Sequence, residues 1–587
     1  MKKKRLLFLA TLVASTALAL TGCGSSGTDE SKSSSSKDDG KLMKVTIYDD
    51  LANYQGTAKG WFAKIVKDKF NIEMNIVAPN VAGGGSTLFD TRSAAGNLGD
   101  IIITGAGGGR GQKLVKAGLI SDMTPYLKDM KYIKKYKGAT DSLNNVIGQK
   151  SGVWGVPDSV SSESPLSSSE GTEPTFGPYL RWDYYKKVGY PKIATLEDLI
   201  PVLKEMQTEA RKENPGKKIY ALSLFKDWDG NMMNNAKQPT CFYGYDELGF
   251  VLAKANGSSY QDITQSNGEY VRALKFFNKA DQEGLVDPES STQNYDTMYA
   301  KYQAGDALFS FWPWLGQAAY NTTAHKEAGQ GFMIAPIKDM KIFSYGSTTN
   351  GTQTFIALGS KAKNKQRLVK FINWLYSPEG VSASGAQTGG TSGPKGLTWK
   401  IKDGKPVLTD FGKKVFLQGG ATVPKKWGTG SYTDGVSPLN YPAVIANDIN
   451  PETKYSYSYT LWPSVLSETR TKLDTDWSNH MSNASTTMDY LEKNDKILVA
   501  PGASYVAPEE SSEISSLRGQ IKTQIVNTSW KMVMAKSDSQ FNSLLKEMQT
   551  TVKGLDYAKV LKFDMKNAKD QNKARVKIKK EYSGKDK

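Results

Sequence analysis

The sequence predicts an α/β protein of two or more lobes. Three observations predict it. Short apolar strands alternate with amphipathic helices at the start of the body, as in a parallel sheet covered by helices. The body runs for more than 500 residues, more than one hydrophobic core usually holds. Helical apolar faces recur as far as Val552, so almost the whole body is patterned to pack.

Ahead of the body stand a basic Met-Lys-Lys-Lys-Arg, an apolar run from Leu6 to Leu20, and Leu20-Thr21-Gly22-Cys23. That is the layout of a secretory signal, too short for a lasting membrane span. Its end resembles the bacterial lipobox, which implies cleavage after residue 22 and acylation of Cys23, giving a lipid anchor in the membrane. Residues 24–40 read GSSGTDESKSSSSKDDG and hold no apolar side chain. The expectation is a signal peptide over 1–22 and a disordered tether over 23–40.

In the body, Lys44 to Tyr48 alternates as a strand, and Trp61, Phe62, Ile65, Val66 and Phe70 share one helical face. Ile72, Met74 and Ile76 alternate again. Asp100 to Thr104 reads as a buried strand leading into a glycine-rich turn and a short helix from Gln112 to Gly118. A second region starts near Tyr179. Thr195-Leu196-Glu197-Asp198 starts a helix whose Pro201 is expected to kink it or to mark its true start. Val271, Leu274 and Phe277 mark a helix ending near Gly284, and Leu368, Ile372 and Leu375 another that stops at Ser377-Pro378. Ser537 to Gln540 reads as a capping box, with Gly554 expected as the C-cap. Trp61 and Trp374 lie on apolar faces and are expected in the core.

Composition narrows the partners. The net charge is +17, and about +13 once the signal's four cations leave. Such a balance attracts anionic sugars, wall polymers or lipid head groups, or simply keeps an exposed protein solvated. Nucleic acid is not expected outside the cell. The cysteines are Cys23 and Cys241, so an acylated Cys23 leaves no intrachain disulfide.

Several blocks, in order, resemble the family 1 extracellular solute-binding proteins, the carbohydrate receptors of ABC importers. They are Gly99 to Ile102 with Gln112 to Leu119 and Asp122 to Leu127; Leu180 to Gly189 with Pro191 and Thr195 to Leu199; Phe371 to Gly380; Asp403 to Thr409; and Trp530 to Met548. The likeness is to the large lipoprotein members of Gram-positive bacteria. It implies a two-lobe periplasmic-binding-protein-like α/β fold with a hinge and an interlobe cleft. The expected division is 41–157 in lobe 1, 158–330 in lobe 2, 331–400 returning to lobe 1, and 401–587 mostly in lobe 2 with a helical extension. Serine-rich 159–169 departs from the family pattern and reads as a surface loop. The resemblance implies a carbohydrate ligand, ABC permease subunits as partners, no cofactor and a monomer.

A sugar offers C–H faces to aromatic rings and hydroxyls to carboxylates, amides and Arg. Trp312 and Trp314, after the strand-like Ala307 to Phe311, resemble the family's strand-end tryptophan region. Trp154 sits near the expected lobe crossing, and Trp228 is flanked by Asp227 and Asp229. Trp427 and Tyr345 are further candidates. Arg181 and Asp183 resemble a recurrent family position, with a structural ion pair as the competing role.

Other chemistries are poorly supported. The 105–111 glycine run lacks the spacing of a dinucleotide fingerprint and no phosphate-loop Gly-Lys-Ser/Thr follows. In Asp227 to Asn231 the glycine is misplaced for a calcium loop and no correctly spaced glutamate follows. His325 and His480 stand apart, with no zinc-binding pair, so no metal is expected. The alternatives that remain are a receptor for a peptide or other non-sugar solute, and a glycoside hydrolase, which needs only two carboxylates.

Overall fold

The computed structural model describes residues 40–82, 85–385 and 390–583. The signal peptide, Cys23 and nearly all of the expected tether lie outside the described residues.

Two hydrophobic cores organise the body. The first is built on a sheet in which Met43–Asp49 pairs in parallel with Ile72–Val77 on one side and Ile101–Gly105 on the other. Thr354–Gly359 then joins Ile101–Gly105 antiparallel, as a strand returning from the other lobe must. Helix Gly60–Phe70 covers this sheet with Trp61, Phe62 and Val66, and helix Lys365–Leu375 with Leu368, Ile372 and Trp374. Asn364 caps the latter by accepting from the Arg367 N–H.

The second core is largely helical. Its central sheet is short: Tyr179–Arg181 lies between Phe309–Ser310 and Phe332–Ile334, antiparallel to both. Leu199–Glu213, Glu269–Gln282, Ser512–Val533 and Asp538–Gly554 supply most of the remaining apolar surface. Pro201 sits in the first turn of Leu199–Glu213, where its missing N–H removes no helical hydrogen bond, so it does not displace the helix start to its own position. Ser537 caps Asp538–Gly554, but the Gln540 side chain reaches back to the Lys536 N–H instead of the cap's own. Gly554 is the last helical residue, not the C-cap; Asp556 takes the left-handed backbone, at φ 58°.

The chain crosses between cores three times. The first crossing lies between Val160 and Phe176. The second lies between Phe343 and Ile356, later than expected, because Phe332–Ile334 and Ile342–Tyr345 still belong to the second lobe. The third lies between Tyr457 and Leu473. The segment 401–457, expected in the second lobe, packs on the first: Val423, Tyr432, Leu439 and Tyr441 join its core. Trp61 draws this segment in, donating its indole N–H to the Tyr432 carbonyl and stacking on that ring at 5.1 Å. Among the described residues no helix is long and apolar enough to cross a membrane.

Candidate functional site

An aromatic platform stands on the second lobe. After the strand Phe309–Ser310, Trp312 keeps an extended backbone and Pro313 opens the helix Pro313–Tyr320. Proline suits that first position, where its φ is already helical and no N–H is needed. Ser310 pins the turn: its hydroxyl donates to the Trp312 carbonyl at 2.9 Å and accepts from the Gly316 N–H at 3.1 Å. Trp312 is therefore buried at 4% exposure, while Trp314 stacks on it at 4.8 Å and stays 38% exposed. The loop 225–231 brings Trp228, 48% exposed, to 5.4 Å from Trp314 and stacks it on Tyr295 at 4.9 Å. The ring partners of Trp228 and Trp314 all lie in the second lobe.

Asp227 and Asp229 hold this loop in place. Asp227 Oδ2 accepts from the Tyr295 backbone N–H at 2.7 Å, which fixes the first residue of helix Tyr295–Gln303 beneath Trp228. Asp229 accepts from the Trp530 indole N–H at 2.7 Å and from the Asn234 N–H at 2.8 Å. Burial raises its carboxyl above the ordinary range despite these donors. Both carboxylates thus accept from protein N–H groups that fix the loop.

The other candidates stand apart from the platform. Tyr345, 39% exposed, donates its hydroxyl to Asp246 Oδ2 at 2.6 Å, and Lys237 pairs with Asp246 Oδ1 at 2.7 Å. Burial alone would raise the Asp246 carboxyl; the Lys237 ammonium and the hydrogen bonds outweigh it and hold the group below its usual value. Arg181 is 3% exposed, grips Asp183 with two hydrogen bonds of 2.9 and 2.7 Å, and stacks over Tyr320 at 4.0 Å. This is a structural ion pair inside the second lobe. Trp154 donates to the Ser151 carbonyl and packs on the first lobe. Trp427 ends a short 3-10 turn and packs against the first core with its indole N–H buried.

Sequence reasoning missed two features. Tyr295 completes the platform, and its signal was the cap Asn294, which accepts from the Thr297 N–H and opens a helix directly at the tyrosine. A cavity of about 570 Å³ also lies where first-lobe residues, the crossing segments and the C-terminal helix Tyr557–Ser583 meet. Its lining is scattered over more than 400 positions, so no local motif announces it.

The description "Bacterial extracellular solute-binding protein" matches residues 55–382, more than half of the chain. Lipoprotein LipO of Bacillus subtilis (strain 168) is 25% identical over 315 residues, which are 51% of this chain and 56% of that protein. The chain thus aligns with little more than half the length of this relative. Among solved structures, an HMO binding ABC-transporter associated solute binding protein from Bifidobacterium longum infantis ATCC 15697 superposes with a TM-score of 0.55 at 16% identity, over 90% of this chain and 99% of that one. The S. pneumoniae ABC-transporter substrate binding protein FusA, in complex with kestose, gives 0.56 at 13% identity, over 90% and 99%. At such identities these likenesses speak for the fold: two α/β lobes with a hinge and an interlobe cleft.

Proposed function

The chain belongs to the bacterial extracellular solute-binding proteins, and on that premise we propose that it captures an oligosaccharide outside the cell and delivers it to an ABC importer. The single observation that carries this reading is the platform: two partly exposed indoles, Trp228 and Trp314, each backed by a second stacked ring. Flat rings of this kind match the C–H faces of sugars. Because Trp312 and Tyr295 stand behind them, the exposed rings are ordered before ligand arrives, which lowers the entropy cost of binding. The similar solved structures named as HMO binding and as a complex with kestose support the same ligand class.

In this reading the ligand lies on the platform and the first lobe swings onto it. Closure follows only if the sugar contacts both lobes in the closed form, since a ligand shifts an equilibrium by its differential affinity. Asp227 and Asp229 act as positioning residues. Cys23, acylated, tethers the receptor to the outer face of the membrane near its permease. Capture breaks no bond.

The platform is tested by titrating the full chain with a panel of oligosaccharides, read by calorimetry. Covering about 80 Å² of sugar surface contributes about 2 kcal/mol, or about thirtyfold in Kd. Trp228→Ala and Trp314→Ala are each expected to weaken binding by about that factor. Unchanged affinity in both variants would refute the platform. Sugar released from the panel would move the reading to a glycoside hydrolase, and binding of peptides alone to a peptide receptor.

A further inference from the structure

The C-terminal helix Tyr557–Ser583 carries its charge on one side. Tyr557, Val560, Asp564, Ala568 and Ile578 share a face at helical spacing, and all five are buried. That face is rooted in the second lobe. Tyr557 and Val560 enter its core, Ala568 packs against Val251 and Ala253, and Asp564 accepts from Arg518 and from the Phe250 N–H. Lys562, Lys566, Lys569, Lys573, Val576 and Lys580 follow the same spacing half a turn away. All six are exposed, so the row points away from the body. From Lys562 to Lys580 it runs about 27 Å.

One carboxylate stands within reach of the row's lysines. Asp570 accepts from Lys566 at 2.6 Å and from Lys573 at 2.7 Å, and these two lysines remain 75% and 78% exposed. Glu509 lines a pocket beside Lys566. Lys559 and Lys577 flank the row and turn to Glu513 and Glu581. Among the described residues, Lys562, Lys569 and Lys580 make no ion pair. After Asp570 is counted, the row keeps four positive charges, with Val576 among them at 42% exposure. Lys562 and Lys566, and again Lys569 and Lys573, stand four residues apart, a like-charge spacing that disfavours an isolated helix. Ion pairs this exposed return little stability. The row therefore costs the helix something, and an anionic surface would offset that cost.

We propose that this row docks on a membrane surface of anionic lipid head groups. Ammonium groups along the outer side of a helix meet a flat charged surface over their whole length, whereas a single polymer chain is held best in a groove. Each lysine brought to an anionic bilayer strengthens the association, and the gain fades beyond a Debye length. Val576 adds apolar contact at head-group depth. Acylation of Cys23 would keep the protein near such a surface; docking along the helix would in addition set how the second lobe is turned towards it. The proposal does not rest on the aromatic platform.

From Gly40 onward the chain packs as one compact unit, so a protein that starts at Gly24 keeps the folded body and takes acylation out of the test. Its co-sedimentation is measured with vesicles of phosphatidylcholine and with vesicles of equal parts phosphatidylcholine and phosphatidylglycerol. Binding is expected to the mixed vesicles alone and to weaken as salt is raised. Lys562→Glu/Lys569→Glu/Lys580→Glu is expected to bind at least about tenfold more weakly. Lys400→Glu/Lys402→Glu/Lys405→Glu makes the same change of charge on the exposed hairpin 399–408 and is expected to stay within about twofold of wild type. Undiminished binding of the first variant takes the helix out of the contact, and equal losses in both show attraction by net charge alone; either overturns the proposal. Binding to soluble polyphosphate without binding to the mixed vesicles also overturns it and assigns the row to an anionic polymer. None of these results touches the platform, whose own failure would appear as oligosaccharide affinity unchanged by loss of the two tryptophans.

Discussion

Asp158 stands at the start of the first crossing, 6% exposed, and burial pushes its carboxyl up to about 6 although the Thr352 hydroxyl donates to it. A folded pKa above the ordinary value of 3.8 means that the folded state binds the proton more readily than the unfolded chain. The cost of the buried charge is therefore present in full above pH 6 and is relieved as pH falls from 6 towards 4. Asp158→Asn removes that charge. Relative to wild type, the variant is expected to be more stable at pH 8 than at pH 5 by about 1 kcal/mol, read from urea unfolding at the two pH values. An equal difference at both would show that Asp158 is not charged at a cost in the folded chain. Asp246 has the opposite sign. Its carboxyl is held below the ordinary range, so its contribution is present at neutral pH and fades only in stronger acid, outside this window.

The crossing segments are the elements on which the account turns, and they pack backbone on backbone. The Asp158 N–H donates to the Thr354 carbonyl at 2.9 Å and the Thr352 N–H to the Asp158 carbonyl at 3.1 Å. Gly351 permits this approach: its φ is +70°, and a Cβ there would stand 2.4 Å from the Asp158 carbonyl oxygen. Gly351→Ala is expected to cost well over 1 kcal/mol, since it combines a left-handed backbone with a clash against main chain. Gly419→Ala, also left-handed at +94° but facing open space, carries only the backbone part. Urea midpoints of the two variants separate the contributions; equal losses would mean that the close approach does not matter. None of this packing could be read from the sequence, because the crossings have no apolar period and their partners lie about 190 residues away. The periodic elements were legible: Met43–Asp49, Gly60–Phe70, Ile72–Val77 and Lys365–Leu375 each bury the face that the pattern named. Segment 401–457 was not, since its contacts with Trp61 depend on tertiary partners with no local signal. At the candidate site, Trp312-Pro313-Trp314 was legible as rings at a strand end, whereas Tyr295 was hidden in the first turn of its helix.

The whole molecule has the parts of a clamp. Two cores of separate composition are joined by three crossings, with a ring platform on one lobe and a C-terminal helix rooted in the second lobe that reaches the first. The chain's net charge of +17 attracts acidic glycans more than neutral ones, and binding compared across ionic strengths separates the two. The central claim is that a sugar drives these lobes together. Small-angle X-ray scattering of the full chain, with and without a saturating oligosaccharide chosen from the calorimetric panel, tests it most directly. The radius of gyration is expected to fall on addition of ligand, and to stay at the ligand-free value in Trp228→Ala/Trp314→Ala. A scattering curve that does not change when the wild-type protein is saturated would contradict the account.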